Sequence, residues 1–254
     1  MAPSYIIPVL ARTFDVINYI SNFPQGVTFS EIVSHLDAPK ASIYRILHTL
    51  EGSAWIEKKG DKYILSYMFI HYGMLTLARR DLAKVAKPHL QNLMEDIGET
   101  AHLAVLSGKQ SMLMTVCEST SHIKLSSPVG TLLPLNCTSH GKVLLTWAID
   151  EPLETFLSGV ELVGKTSHSI TTITGLKEEI TRIKQQGYAL DDLEYFDDVR
   201  CCAAPVFDGK NHCIGAVGIT ATRVRFSSNI IDEVSSKVKK AATLISRDMG
   251  KLSV

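Results

Sequence analysis

The sequence predicts a mixed α+β chain in two parts, a short helical unit closed by a hairpin and a larger domain built on a largely antiparallel sheet. Three observations predict it. Three successive segments before residue 52 carry apolar residues at helical spacing. Two short β-prone runs flank Lys59-Gly60-Asp61 immediately afterwards. Beyond residue 84, strand-like and helix-like segments alternate with hairpin turns between them.

In the first segment Val9, Leu10, Phe14, Val16, Ile17 and Ile20 recur as one inward-packing helix face, which stops near Phe23-Pro24-Gln25-Gly26. Thr28 or Ser30 then caps a short second helix with Ile32, Val33 and Leu36 on one side, and Asp37-Ala38-Pro39 turns the chain. The third helix buries Ile43, Ile46, Leu47 and Leu50. Its opposite face presents Lys40, Ser42, Tyr44, Arg45 and His48. Strand-like Trp55–Glu57 and Lys62–Leu65 form a hairpin whose tip carries Lys58 and Lys59. Three helices followed by a basic-tipped hairpin predict a winged helix-turn-helix, with the third helix in the major groove of double-stranded DNA and the wing lysines on phosphate. A solvated helical subdomain would show the same helices, and the wing is what tilts the reading toward DNA.

Composition bounds what the chain can do. At 254 residues it is long enough for two domains, and 45% hydrophobic with 20% charged residues describes a globular protein. The balance of 26 basic against 26 acidic residues argues against a nonspecific coat for nucleic acid or membrane. Residues 40–62 nonetheless hold Lys40, Arg45, Lys58, Lys59 and Lys62 against Glu51, Glu57 and Asp61, a small basic surplus. No apolar run approaches bilayer-spanning length, and Arg12 and Asp15 inside the first helical pattern do not fit a cleaved signal, so a cytoplasmic protein is expected. Five cysteines, two of them adjacent, do not make an extracellular disulfide framework.

From Leu65 to Ala83 the chain is apolar almost all round, with Tyr67, Met68, Phe69, Tyr72, Met74, Leu75 and Leu77. A helix without a polar face needs cover on several sides, so a connector that meets a second subunit is expected, and with it a homodimer. The expected division is a DNA-binding domain over residues 1–66, a linker helix over 67–83 and a second domain over 84–254. In that domain a helix is expected to break near Pro88. Residues 101–119 read as two strands around Ser107-Gly108-Lys109, and "HIKLSS" (122–127) as a third. "TSHGKVLLTWAI" reads as a helix with a small polar start, and a helix from Thr174 ends at Gly187. The strands "CCAAPVFD" and "CIGAVGITA" turn at Asp208-Gly209, and a long helix closes the chain from Ser228 to Gly250.

Three segments carry a resemblance. "APKASIYRILHTLE", "LPLNCTSHGKVLL" and "GYALDDLEYFDDVRCCAAPVFD" resemble, in order and in spacing, the recognition-helix segment and two C-terminal signatures of the IclR family of bacterial transcription regulators. The resemblance implies a C-terminal domain similar to GAF domains that binds a small organic effector, dimers or tetramers, and a protein that is more often a repressor than an activator. It implies an effector site at Ser139, His140, Asp191, Cys201, Gly218 and Thr220, with apolar walls from Leu125, Leu133 and Val199. His140 stands where the family often has a small residue, and Gly218 where a serine is common.

The chemistry of these residues points to a carboxylic acid. Backbone N–H groups at a helix start are unpaired and sit at its positive end, so Ser139 and His140 suit a carboxylate. Asp191 would accept from a hydroxyl at the ligand's other end, with Thr220 as a second polar contact. A hydroxy-, oxo-, sugar or aromatic acid is the expected class. Each residue has a plainer explanation too: Cys201 and Cys202 as small buried hydrophobes, Asp191 and Asp192 as turn formers, His140 as a helix cap.

Two rival classes compete. Catalysis by Cys201 with His140 or His212 needs a thiolate beside imidazole. No H-E-x-x-H or G-x-S-x-G occurs, and "NCTSHGKV" has Asn136 and Val143 where a phosphate loop needs Gly and Ser or Thr, so no enzyme and no cofactor are expected. A metal sensor built on Cys201, Cys202, His212 and Cys213 lacks paired C-x-x-C spacing, and adjacent strand residues point to opposite faces.

Overall fold

The computed structural model describes residues 6–78, 81–122 and 124–250. The chain divides into two compact units between residues 79 and 80.

The first unit contains α1 (Pro8–Ser21), β1 (Val27–Thr28), α2 (Phe29–Leu36), α3 (Lys40–Gly52), β2 (Ile56–Lys59), β3 (Lys62–Leu65) and α4 (Met68–Ala78). Its core joins Val16 and Ile20 of α1, Ile32 of α2, Ile43, Ile46, Leu47 and Leu50 of α3, and Ile56 and Tyr63 of the hairpin. The apolar stripe of α3 is therefore buried as its spacing requires. Only part of the α1 expectation holds: Val9, Leu10 and Phe14 are each more than half exposed. Thr28 caps α2 in a reciprocal box: its Oγ1 accepts from the Glu31 amide at 3.3 Å, and its amide donates to Glu31 Oε2 at 2.7 Å. The wing is one strand richer than expected, because Val27 and Thr28 pair with Tyr63 and Lys62 in the sheet order β1-β3-β2. Gly60 takes φ +64 at its two-residue tip, which favours glycine there.

Of the helix expected over 67–83, α4 supplies Met68–Ala78 and residues 81–83 belong to the next helix; residues 79 and 80 lie outside the described residues. On α4, Tyr72 stacks on Trp55 at 5.2 Å and Phe69 meets the same ring edge-on. Ile70, Tyr72, Met74 and Leu75 remain 46–61% exposed.

The second unit is a six-stranded antiparallel sheet in the order β6-β5-β4-β9-β8-β7, built from β4 (Thr100–Ser107), β5 (Gln110–Cys117), β6 (Leu132–Leu133), β7 (Ala189–Asp192), β8 (Val199–Phe207) and β9 (Cys213–Thr222). α5 (Asp81–Ile97) and α9 (Ile231–Asp248) cover one face, where Ala101, Leu103, Cys202, Ala204, Val217 and Ile219 point. α6 (Ser139–Trp147), α7 (Leu153–Phe156) and α8 (Ile173–Gln186) gather over the other. Adjacent Cys201 and Cys202 thus face opposite layers.

Two expectations are corrected. α5 does not break at Pro88. Leu82, Ala86, Leu90, Leu93 and Met94 keep one buried stripe across the proline, and several such side chains at about 1.5–3 kcal/mol each outweigh the roughly 3 kcal/mol that proline costs inside a helix. "HIKLSS" supplies no strand: the described residues 122 and 124–127 are irregular, and Ile123 lies outside the described residues. The edge of β5 beside them is occupied by β6, with Ser111 paired to Leu133 and Met112 to Leu132. α8 starts at Ile173, one residue before the expected Thr174, and is capped by Thr172, whose Oγ1 accepts from the Gly175 amide. Ser228–Ile230 form a single 3-10 turn before α9.

Candidate functional site

On α3, Lys40, Tyr44, Arg45 and His48 are exposed on the face opposite Ile43, Ile46, Leu47 and Leu50. Tyr44 and His48 lie one turn apart with their rings 6.2 Å from each other. Ser42 is half-buried, and its Oγ accepts from Arg12 Nη1 of α1 at 3.0 Å. Arg12 is a residue that sequence spacing did not single out, because a long-range partner leaves no local signal. In the wing Lys58 and Lys59 are exposed; Lys58 reaches over the Tyr63 ring and Lys59 stands 3.9 Å from Glu57. Reading helix and wing therefore present cations and polar side chains, Lys40, Arg45 and Lys58 without an ion pair among those of the described residues and Lys59 facing Glu57.

In the second unit a cavity of about 110 Å³ opens on the α6 side of the sheet. Thr100 and His102 of β4 and Thr220 of β9 form its floor, and His140 of α6 enters from the helix. Alternation along β4 sends Ala101 and Leu103 to the opposite core while Thr100 and His102 face the cavity. On β5 the register shifts opposite Leu103 and Ala104, so that Met114 is an extra residue and Leu113 and Val116, three apart, both reach the cavity. Leu125, Ser126 and Ser127 close it from the segment expected to be a strand, with Leu133, Val199 and Phe196 completing the wall.

Five of the residues singled out from sequence thus come together here: Leu125, Leu133, His140, Val199 and Thr220. Four others do not line the cavity. Cys201 lies beneath it, paired in register with Thr220, the Sγ and Oγ1 atoms 3.4 Å apart. Burial, the charge of Asp191 and the neighbouring Cys202 hold its thiol well above the usual range, which favours the neutral thiol over the thiolate. Ser139 is fully buried with an unpartnered Oγ. Gly218 has no room for the serine hydroxyl common in the family, since a Cβ there would stand 2.4 Å from the Cys202 carbonyl oxygen. Asp191 is buried and turned away: its Oδ1 accepts from the amides of Glu194 at 2.8 Å and Tyr195 at 3.2 Å, so it organises the chain after β7. Burial and the nearby Glu194 push its carboxyl up to about 7.

Asp191 and Glu194 belong to a buried charged cluster that sequence reasoning missed. Lys142 of α6, 1% exposed, is hydrogen-bonded to Glu179 of α8 at 3.0 Å and to Glu194. Arg182 pairs with Glu179 from the surface at 2.9 Å, and Glu194 Oε2 has no partner. The start of α6 is fixed by Thr138, whose Oγ1 accepts from the Gly141 amide. Gly141 itself is required by close approach, because a Cβ would lie 2.6 Å from Leu135.

His102 was also missed from sequence. A single histidine inside an apolar strand reads as core, and only the sheet order sets it beside Thr220 and under α6. It is 4% exposed, its Nε2 has no hydrogen-bond partner, and its ring packs edge-on against His140 at 5.3 Å. Burial pushes His102 down to about 4, and burial together with His102 holds His140 well below its ordinary value. Both rings are neutral at pH 7.

His212 sits exposed in the β8–β9 turn, 3.5 Å from Asp208, away from Cys201 on the strand. Among the described residues no group of three or more His, Cys, Asp or Glu side chains is placed to hold a metal ion. No described helix is long and apolar enough to cross a membrane.

Comparison with known proteins agrees with this arrangement. The family described as "IclR helix-turn-helix domain" matches residues 9–60, and "Bacterial transcriptional regulator IclR C-terminal" matches residues 74–247. The transcriptional regulator KdgR of Escherichia coli K12 is 30% identical over 227 residues, covering 89% of this chain and 86% of that one. The transcriptional repressor IclR of the same organism is 26% identical over 237 residues, covering 92% and 86%. The crystal structure of the Thermotoga maritima IclR superposes with a TM-score of 0.72 at 30% identity, covering 96% of this chain and 99% of that one. A helix-turn-helix with an exposed polar reading face, followed by a sheet domain with a cavity between its sheet and α6, is accounted for over nearly its whole length, and the chain belongs to the IclR family of bacterial transcriptional regulators.

Proposed function

We propose that this regulator is a repressor that acts as a homodimer, or a pair of dimers, whose grip on a palindromic operator is set by a small carboxylic acid in the cavity of the second unit. Lys40, Ser42, Tyr44, Arg45 and His48 read the major groove, and Lys58 and Lys59 hold phosphate on the wing. The observation that carries the reading is the division of α3, with four apolar residues buried on one face and Lys40, Tyr44, Arg45 and His48 exposed on the other beside a basic wing. A relative named as a transcriptional repressor supports repression over activation.

In this reading residues 1–66 serve DNA, 67–83 connection and dimer contact, and 84–254 the effector. A second copy covers the apolar side chains that α4 leaves exposed, and pairing two reading helices about one turn of DNA apart matches a two-fold operator. Effector binding shifts the equilibrium between dimer arrangements that do and do not match that spacing.

Selection of bound fragments from sheared genomic DNA, run beside a Tyr44→Ala, Arg45→Ala variant, tests this reading. Enrichment of one palindromic site, lost in the variant, is expected. Equal enrichment by both proteins would remove α3 from the interface.

A further inference from the structure

The polar lining of the cavity differs from what the helix start and Asp191 promised. Asp191 is committed to the amides of Glu194 and Tyr195. What faces the cavity instead is a pair of imidazoles from two different elements, His102 of β4 and His140 of α6, backed by the hydroxyls of Thr100 and Thr220. The Nε2 of His102 is buried without a partner, a cost that native interiors seldom carry unless another group completes the bond. Resting on the effector role proposed above for this cavity, we infer that it is built for a short monocarboxylate of about two to four carbons, and that the carboxylate enters together with one proton taken from solvent onto the His102–His140 pair.

Size sets the first half of this inference. A cavity of about 110 Å³ is smaller than the roughly 150 Å³ space that holds benzene. A sugar acid or an aromatic acid would have to extend out of it past the exposed Ser126 and Phe196. Leu113, Val116, Leu125, Leu133, Val199 and Phe196 make most of the remaining wall apolar, which suits a short alkyl tail, with Ser126 and Ser127 on the covering segment.

Electrostatics sets the second half. An anion moved alone into this enclosure loses its hydration and finds no cation there. The other ionisable groups on the surrounding elements are already engaged. Cys201 of β8 is bonded to Thr220, Asp191 accepts from the Glu194 and Tyr195 amides, and the Glu194 carboxylate is paired with Lys142. Glu99, just before β4, is paired with Arg225, and Glu118 with Lys124 of the covering segment. The imidazole pair is therefore the group that can supply the counter-charge. Two rings 5.3 Å apart share one proton more readily than they hold two, because the second would meet the charge of the first.

The sign follows from linkage. Without ligand, His102 loses its proton near pH 4, so at pH 6–8 the free cavity carries none. The carboxylate raises the imidazole pKa in the complex, which therefore holds one more proton than the separated partners. Affinity rises as pH falls from about 8 to 6, by up to about tenfold per pH unit, and the gain is lost as pH rises through the pKa of the complex.

Titration calorimetry of the full chain with butyrate at pH 6, 7 and 8, in buffers of contrasting ionisation heat, reads both affinity and proton uptake. Butyramide is the uncharged control of the same size, and benzoate the oversized one. The expected result is a butyrate Kd that falls several-fold to tenfold per unit decrease in pH, uptake approaching one proton, and little binding of butyramide or benzoate. His102→Gln and His140→Gln should each flatten the pH dependence, with thermal denaturation confirming that they fold; the wild-type data alone decide the matter if they do not. A pH-independent butyrate affinity, equal binding of butyramide, or no butyrate binding would overturn the inference. If benzoate or another larger acid alters operator binding while butyrate does not bind, this inference fails and effector control stands. If operator binding itself is absent, the Proposed function fails independently.

Discussion

Lys142→Met separates the buried cluster from the rest of the fold. The Lys142 side chain is 1% exposed, and those of its partners Glu179 and Glu194 are each 8% exposed. Methionine keeps the unbranched stem in the α6 layer but leaves two buried carboxylates without their common cation. Arg182 still reaches Glu179 from the surface, whereas Glu194 is stranded with Oε2 already unpartnered. Breaking one side of a buried pair costs about 3–5 kcal/mol, mostly as the penalty of the orphaned charge. For a unit of this size that corresponds to a Tm lowered by roughly 6–20 °C.

The chain has two tryptophans, Trp55 in the first unit and Trp147 at the end of α6 in the second. A Trp55→Phe background makes urea unfolding followed by fluorescence a report on the second unit alone. The midpoint should fall with an unchanged slope. Adding Glu194→Gln should recover much of the loss, because the stranded charge is then gone, and the two effects will not add. Burial already holds the Glu194 carboxyl above its usual range. Removing Lys142 raises it further, so the loss should be smaller at pH 5, where the carboxyl is more readily protonated, than at pH 8. A Lys142→Met protein within about 1 kcal/mol of its parent, or a double variant no better than the single one, would refute charge burial as the organising element of this cluster.

Asp191→Asn keeps an acceptor for the Glu194 and Tyr195 amides while removing a titration. Asp191 is raised to about 7 from 3.8, so the folded chain retains a proton that the unfolded chain releases, and this contribution to stability is lost as pH rises from about 4 to 7. The variant should flatten that slope in Tm-against-pH scans and gain on the parent at pH 8; an identical slope in both would count against it. Gly218→Ser should destabilise the second unit by on the order of 1–3 kcal/mol, since its Cβ would stand 2.4 Å from the Cys202 carbonyl oxygen; an unchanged Tm would show that β8 and β9 separate at little cost. In DNA titrations across salt concentrations, Lys58→Ala and Lys59→Ala should each lower the slope of log K against log salt by about 1 without altering which sequence is preferred. A changed sequence preference would mean that the wing reads bases.

The first unit was legible because its determinants are local. Spacing along 40–52 decided which face of α3 is buried, the Thr28–Glu31 pair wrote the start of α2, and Gly60 wrote the tip of the wing. In the second unit, strand-like spacing declared the two strands around Ser107-Gly108-Lys109. It did not declare which strands would be neighbours, nor that one extra residue at Met114 would bring Val116 round to the same cavity. Those are matters of register, and a one-residue slip moves every later side chain to the other face.

The same holds for the charged cluster. Lys142, Glu179 and Glu194 are each 37 or more positions from one another except for the pair 179 and 194, and each by itself reads as an ordinary surface charge. The sequence by itself determined the two-part organisation, the exposed polar face of α3 and the family. Only the tertiary structure decided that Asp191 turns into the chain and that two neutral histidines meet in the cavity. Helix and strand periodicity is set by neighbours a few residues away, whereas a site assembled across a sheet is set by the order in which distant strands pair.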